Sequence, residues 1–355
     1  MKSLLIFIAL IAHCAAADAF DNIELVYSRG RNTLAWHSKV TALNTAPSLL
    51  SIGFEDDNDY SIKLLPFDFT SKVKSERKLN LSNIFLLGRL SAFAGKSNIL
   101  LAVIDGNGAW SLINYSIGLN KTIKNIALNE ASLVSGVLSC GNLYFVYGVT
   151  NKNYPFILNA NIASGSVGSN MLSSTVQGEV SDMACGVNGE IIAVANYRNA
   201  KSDLVIIGDG DKVAKTIPIH GGATSFAVTP TNKIILSYHR GRDLYVELLD
   251  DKRKSLWINH ILKIKGIATQ LMQVIVLNNG EFSIIGANDE KMFAMHLDGN
   301  GKEVSLLYDS HGFSPPVDGN YYVFADERGI HVRGFVRDKK ILKMGNYSEV
   351  YFLVK

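Results

Sequence analysis

Short apolar runs alternate with polar loops along the chain in a fixed order. The pattern is visible in "LLSIGFEDDNDYSIKLLPF" (49–67), "LLAVIDGNGAWSLINYSIG" (100–118), "YFVYGVTNKNYPFILNANI" (144–162) and "IAVANYRNAKSDLVIIGDG" (192–210). It returns in "ILSYHRGRDLYVELLDD" (235–251), "FSIIGANDEKMFAMHLDGN" (282–300) and "YYVFADERGIHVRGFVRDK" (321–339). Each segment holds an apolar run, a polar loop of about four to seven residues, and a second run of alternating character. The residues closing the first runs are Gly53, Val103, Gly148, Ala195, Tyr238, Gly286 and Ala325. They lie roughly 40–50 residues apart, a period typical of repeat architectures.

Further short apolar segments fill the gaps. "TIKNIAL" (122–128), "VAKTIPI" (213–219) and "EVSLLY" (303–308) follow second runs, while "SDMACG" (181–186) and "SFAVTP" (225–230) precede first runs. Four short strands per unit result, bounded by Gly, Asn, Asp or Ser. Continuous runs such as "NILLAV", "LVIIG" and "KIILS" suit strands buried on both faces. Helical periodicity is scarce. The expected fold is all-β: a β-propeller of seven four-stranded antiparallel blades, with six or eight blades as alternatives and a β-solenoid, whose repeats are shorter, as the rival. Residues 20–355 are expected to form this single domain. A ring must close, and "NIELVYS" (22–28) and "SEVYFLVK" (348–355) are both strand-like, so one or both should complete the last blade.

The rhythm of "GANDEKMFAMHLDGNGKEV" (286–304) resembles the degenerate repeats of quinoprotein-like and similar exported propellers within the seven-bladed superfamily. The Gly-His and Trp-Asp pairs of WD40 repeats and the recurring Gly-Gly doublets of kelch repeats are missing. "DGNGAW" (105–110) approaches a sialidase Asp-box but has other glycine spacing. In propellers generally, the loop between second and third strands shares a face with the loop joining one blade to the next. That face, around the channel mouth, is the usual site.

Residues 1–19 change the compartment. Lys2 precedes an apolar run from Leu4 to Ala12, followed by small residues at 15–17 and 17–19. The run is too short to span a bilayer and reads as a secretory signal peptide. The mature protein is expected to be secreted or extracellular, or periplasmic in a Gram-negative bacterium, without membrane insertion after cleavage. Cys140 and Cys185 then remain as a candidate disulfide on neighbouring inner strands, with two unpaired thiols as the alternative. Sequons occur at Asn80, Asn114, Asn120 and Asn346. A net charge of +3, with 19% charged residues, gives no basic surface of the kind a nucleic-acid binder needs.

Local catalytic motifs are missing: no G-x-S-x-G, H-E-x-x-H, C-x-x-C or P-loop occurs. No cofactor is expected. Asp298-Gly299-Asn300-Gly301 could hold calcium, but Asp309 stands where an EF-hand-like loop wants Glu, and similar loops at 208–212 and 248–255 favour a hairpin turn. Candidate partner-binding residues on the loop face are Asp56, Asp57, Asp59, Arg198, His220, His239, Arg240, Arg242 and His311. Asp326, Glu327 and Arg328 are expected on the same face. Acids dominate one arc and bases the opposite arc, an arrangement suited to a partner of mixed charge. Tyr60, Trp110, Tyr154 and Phe293 open third strands and could stack on sugars or sit in the core. The leading function is an interaction module binding a protein or carbohydrate. An exported hydrolase or lyase using channel-mouth His, Asp and Glu is the alternative.

Overall fold

The computed structural model describes residues 23–31, 39–42, 48–55, 59–66, 77–78, 81, 91–94, 98–105, 107–172, 175–199, 201–208, 212–261, 273–277, 279–287, 292–308, 313–314, 321–326, 329–338 and 347–355. The leader 1–19, Asp56, Asp57 and His311 lie outside them. The described residues form strands and turns, with no helix among them.

The first strand, β1 (Ile23–Arg31), belongs to the last sheet. Sheet one holds β2 (Lys39–Ala42), β3 (Ser48–Glu55), β4 (Asp59–Pro66) and β5 (Arg77–Lys78). Sheet two holds β6 (Ser91–Ala94), β7 (Asn98–Ile104), β8 (Trp110–Ser116) and β9 (Lys121–Ala127). Sheet three holds β10 (Ala131–Cys140), β11 (Leu143–Thr150), β12 (Pro155–Asn161) and β13 (Ser166–Val167). Sheet four holds β14 (Gly178–Cys185), β15 (Ile191–Tyr197), β16 (Ser202–Gly208) and β17 (Lys212–Ile219). Sheet five holds β18 (Gly222–Val228), β19 (Ile234–Arg240), β20 (Asp243–Leu249) and β21 (Ser255–Ile261). Sheet six holds β22 (Gln273–Val276), β23 (Phe282–Ala287), β24 (Met292–Leu297) and β25 (Glu303–Tyr308). Sheet seven holds β26 (Phe313–Ser314), β27 (Tyr321–Asp326), β28 (Gly329–Asp338) and β29 (Tyr347–Val354), completed by β1.

The first strand of each sheet touches the first strand of the next, from β2 through β6, β10, β14, β18 and β22 to β27, and β27 returns to β2. The strands nearest the axis therefore make a closed cycle, and the chain is a β-propeller. In sheets one to six, the first apolar run of each sequence unit is the second strand. Sheet seven differs. There the first run, β27, is the innermost strand, β28 is second, β29 third and β1 outermost. Both chain ends thus complete this sheet, and the unit reads one strand out of step. Asp326, paired with Gly329 where the first strand passes to the second, consequently lies at the end opposite the face the sequence suggests for it, while Glu327 and Arg328 lie outside the described residues.

Side-chain alternation explains why the sheets stack. Along β19, Ile234, Leu236 and Tyr238 pack against Ile192, Val194 and Leu204 of sheet four, while Ile235 packs toward Phe282 and Ile284 of sheet six. Along β11, Phe145 and Tyr147 meet Val180 and Ile191, and Val146 meets Leu100 and Ile126. Each of the five seams from sheet two to sheet seven is its own apolar cluster, and one strand supplies two seams through its period of two. Full burial of each large apolar side chain stabilises the fold by about 1.5–3 kcal/mol. Neither face of a central strand could be left in water, so each sheet depends on its neighbours.

Polar ties cross the same seams. Cys140 at the end of β10 and Cys185 at the end of β14 form a disulfide with Cα atoms 5.7 Å apart and a sequence separation of 45. Closing a loop of that length is worth about 2–4 kcal/mol through the unfolded chain. Reduction should therefore lower the urea midpoint by a corresponding amount; an unchanged midpoint in reductant would contradict this. Trp110 of β8 donates from Nε1 to Ser132 O in sheet three, 3.0 Å away.

The stretch at 298–301 is a turn. Asp298 Oδ1 accepts from Asn300 N at 2.9 Å and Lys302 N at 2.8 Å, and Gly301 takes φ +80°. A Cβ on Gly301 would meet the Trp257 ring of sheet five at 2.7 Å. Trp257 Nε1 donates to Gly299 O at 3.3 Å, and Asn259 Nδ2 donates to Gly301 O at 2.6 Å. The turn is therefore a docking point for the outer strand of the preceding sheet.

The matching turn of sheet five behaves differently. Arg253, not glycine, sits there at φ +67° and is buried. Its guanidinium donates to Asn232 O and pairs with Glu190 of sheet four. Asn232 Nδ2 also donates to Glu190 Oε1 at 3.0 Å, and its Oδ1 accepts from Val187 N at 3.3 Å. An ion pair between a buried guanidinium and a half-buried carboxylate, with supporting hydrogen bonds, thus joins sheets four and five at the face away from the candidate site.

Candidate functional site

Turns between second and third strands meet the segments that lead from one sheet into the next. Asn151 N donates to Glu130 O at 2.8 Å, Gly178 N to Asn153 O at 2.9 Å and Arg198 N to Gln177 O at 3.0 Å. Arg240 Nε donates to His220 O at 2.7 Å. These bonds make one continuous loop face across sheets three to five. Arg198, His220, Arg240 and Arg242 are exposed on it. Asp59 opens β4 in the first sheet. Asp56, Asp57 and His311 fall outside the described residues, so the acidic arc has no described counterpart to the basic one.

Sheet five carries the most ordered arrangement. The turn at 240–243 sets the register of β19 on β20, pairing Tyr238 with Tyr245, and β21 places His260 opposite Tyr245. The three rings stack: Tyr238 and Tyr245 centroids lie 5.5 Å apart at 9°, Tyr245 and His260 4.6 Å apart at 8°. The ladder runs from a buried tyrosine to an exposed histidine. Arg240 Cζ sits 4.9 Å from the Tyr245 centroid and 5.6 Å from that of Tyr238. Asp243 Oδ1 lies 3.7 Å from His260 Nε2. Burial, reinforced by the nearby Glu247 carboxylate, pushes the Tyr238 phenol up to about 12, so the ring stays neutral beneath the guanidinium.

His239 departs from expectation. It is only 7% exposed, and its Nε2 has no hydrogen-bond partner. Burial lowers its pKa from the ordinary 6.5, because the charged ring loses solvation. As pH falls, the unfolded chain takes up this proton before the folded one. The stability contributed by neutral His239 is full above 6.5 and declines as pH drops toward its lowered folded value. Urea titrations at pH 7.5 and 5 should show a smaller acid loss for His239→Gln than for the native chain; equal losses would refute the assignment.

A second feature lies between sheets three and four. An open cleft of about 420 Å³ is lined by Ser132, Leu133, Val149, Asn153, Glu179 and Arg198 among others. It puts a carboxylate and a guanidinium beside an apolar floor, and its volume lies in the range of small-ligand sites.

Several readings change at this level. Trp110 and Phe293 are buried, at 4% and 0% exposure, so they belong to the core and cannot stack on a sugar; Tyr154 is half-buried. Asn114 is buried on β8, and Asn120 accepts from Tyr115 OH at 2.6 Å, so the folded chain presents Asn114 to no glycosylating enzyme. Sequence reasoning missed the pair of the buried His296 Nε2 and the half-buried Glu281 Oε2, 2.6 Å apart. One signal existed. Asn-Gly-Glu precedes a second strand at both 188–190 and 279–281, and both glutamates turn inward to a basic partner. Among the described residues, no three His, Cys, Asp or Glu side chains gather as a metal-ligand set.

No protein-family model matches the chain, and no curated protein matches it. Among solved structures it is similar to one titled "Structure of Dos1 propeller", with 12% identity, a TM-score of 0.60, and coverage of 93% of this chain and 95% of that one. At that identity the likeness concerns architecture alone, and it places this chain among the propellers.

Proposed function

We propose that the chain is an exported interaction module that binds a protein partner through its loop face. Propellers commonly serve as interaction platforms, and the fold supports that much. The observation that carries the reading is the loop face itself. Turns and inter-sheet segments are bonded into one surface, with Arg198, Arg240 and Arg242 exposed on it and the cleft at Glu179 opening into it. Several loops fixed to a rigid ring present a broad surface with little ordering to be done on binding. Export rests on the apolar leader at 4–12 and is consistent with the Cys140–Cys185 bond.

The experiment is capture of partners from the protein's own extracellular medium by the mature chain beginning at residue 20. A variant carrying Arg198→Glu, Arg240→Glu and Arg242→Glu should lose the captured protein while melting as the native chain does. Equal capture by both would overturn the loop-face reading. A carbohydrate eluted in place of a protein would move the partner class. Turnover of a released substrate would favour the hydrolase or lyase reading instead.

A further inference from the structure

The geometry points to Arg240 as a carboxylate-binding clamp, its guanidinium held ready on the Tyr238–Tyr245–His260 ladder to take an acidic side chain of a protein partner. This rests on the loop-face reading and names the chemistry of that surface. An exposed arginine is ordinarily a mobile side chain, and fixing it on binding costs rotamer entropy. Here the folded chain has already fixed it. Nε is occupied by His220 O at 2.7 Å, and the guanidinium carbon lies within 6 Å of two ring centroids. Those contacts use one edge and one face of a planar group. Among the described residues no carboxylate forms an ion pair with Arg240; its guanidinium lies against the Tyr238 phenol, and the exposed side chain can still turn N–H donors toward a partner.

The surroundings favour an anion. Arg242 and His220 are exposed beside it. The nearest acids are accounted for: Asp243 faces His260, and Glu247 is buried below, near Tyr238. A planar fork with a fixed orientation suits the two oxygens of a carboxylate, which it can engage bidentately. Two arginines on a chain of net charge +3 make too small a patch for a nucleic-acid backbone, which is neutralised by many cations. A short acidic segment matches the scale.

The test uses the mature chain and a fluorescein-labelled hexaglutamate peptide, read by fluorescence anisotropy at low salt. Saturable binding that weakens as salt rises is expected. Arg240→Lys keeps the charge but removes the fork, and should weaken binding about tenfold, equivalent to 1.4 kcal/mol. Tyr245→Leu frees the guanidinium and should weaken it in the same direction. Lys254→Gln, an exposed cation in the turn on the opposite face, should leave it unchanged. Thermal melts confirm that each variant folds. Undiminished binding by Arg240→Lys overturns the clamp, as does failure of the native chain to bind the peptide or tighter binding of a single-stranded oligonucleotide. Each of those results leaves the loop-face reading standing if the triple variant still loses its captured partner, so the two failures are distinguishable.

Discussion

A chain beginning at residue 32 should fail to fold cooperatively, whereas one beginning at residue 20 melts in a single transition. β1 pairs with β29 along its whole length, from Ile23 opposite Val354 to Arg31 opposite Tyr347. It is the outermost strand of the sheet that closes the ring. Each backbone hydrogen bond lost is worth about 0.5–1.5 kcal/mol net, and the pairing contains several. That sum approaches the 5–15 kcal/mol by which a domain is ordinarily stable. Removal also bares a sheet edge on β29, whose Phe352 and Val354 pack into the seam with sheet six. Circular dichroism melts and light scattering on the two chains check this. The truncated chain should show a broad, early transition with aggregation. A sharp melt within a few degrees of the longer chain would mean that β29 closes the ring without help.

Replacing Arg253 with alanine should cost about 3–5 kcal/mol, the usual penalty for leaving one member of a buried pair alone. The loss has two parts that can be separated. Glu190, at 21% side-chain exposure, loses the guanidinium that neutralises it, and Asn232 O loses a donor. The second part belongs to the backbone. Arg253 occupies a left-handed conformation where the equivalent turn of sheet six uses Gly301. Such a conformation strains a residue with a Cβ by about 1–2 kcal/mol. Arg253→Gly should therefore be less destabilised than Arg253→Ala by about 1 kcal/mol, while both remain well below the native chain. Glu190→Gln should weaken the same seam without touching the turn. Urea denaturation of the three variants measures the order. If Arg253→Gly matched or exceeded the native chain, strain would outweigh the ion pair and the tie would be incidental.

Much of the architecture was legible because its cause is local. A strand buried on both faces must be apolar throughout, and a hairpin must turn on Gly, Asn or Asp. The runs ending at Gly148, Ala195 and Tyr238 therefore mark β11, β15 and β19 directly. Closure of sheet seven by the chain ends was legible in the strand-like stretches at 22–28 and 348–355, but the strand order within it was not, because the sheet is not contiguous in sequence. Its outermost strand is supplied by β1, so the preceding unit slips by one strand, and the short interval between Gly286 and Ala325 is the trace of that slip. The site was legible only in part. Arg240 and His220 could be placed on one face from the alternation of loops. The ring ladder could not be seen until the turn at 240–243 fixed which residue of β20 lies opposite Tyr238. Arg253 read as one more charge in a turn, because burial of a guanidinium depends on a carboxylate in the neighbouring sheet, far away in sequence.

The arrangement of sheet seven also imposes an order in time. β1 is made first, yet its partner β29 is among the last residues to emerge. Throughout synthesis its hydrogen-bonding edge has no mate, so the ring stays open until the last strand is made. Ring closure then requires ends far apart in sequence to find each other, the kind of distant pairing that folds slowly. A late, slow zippering step is the expected kinetic consequence, and until it is complete the open edge can pair with a neighbouring chain.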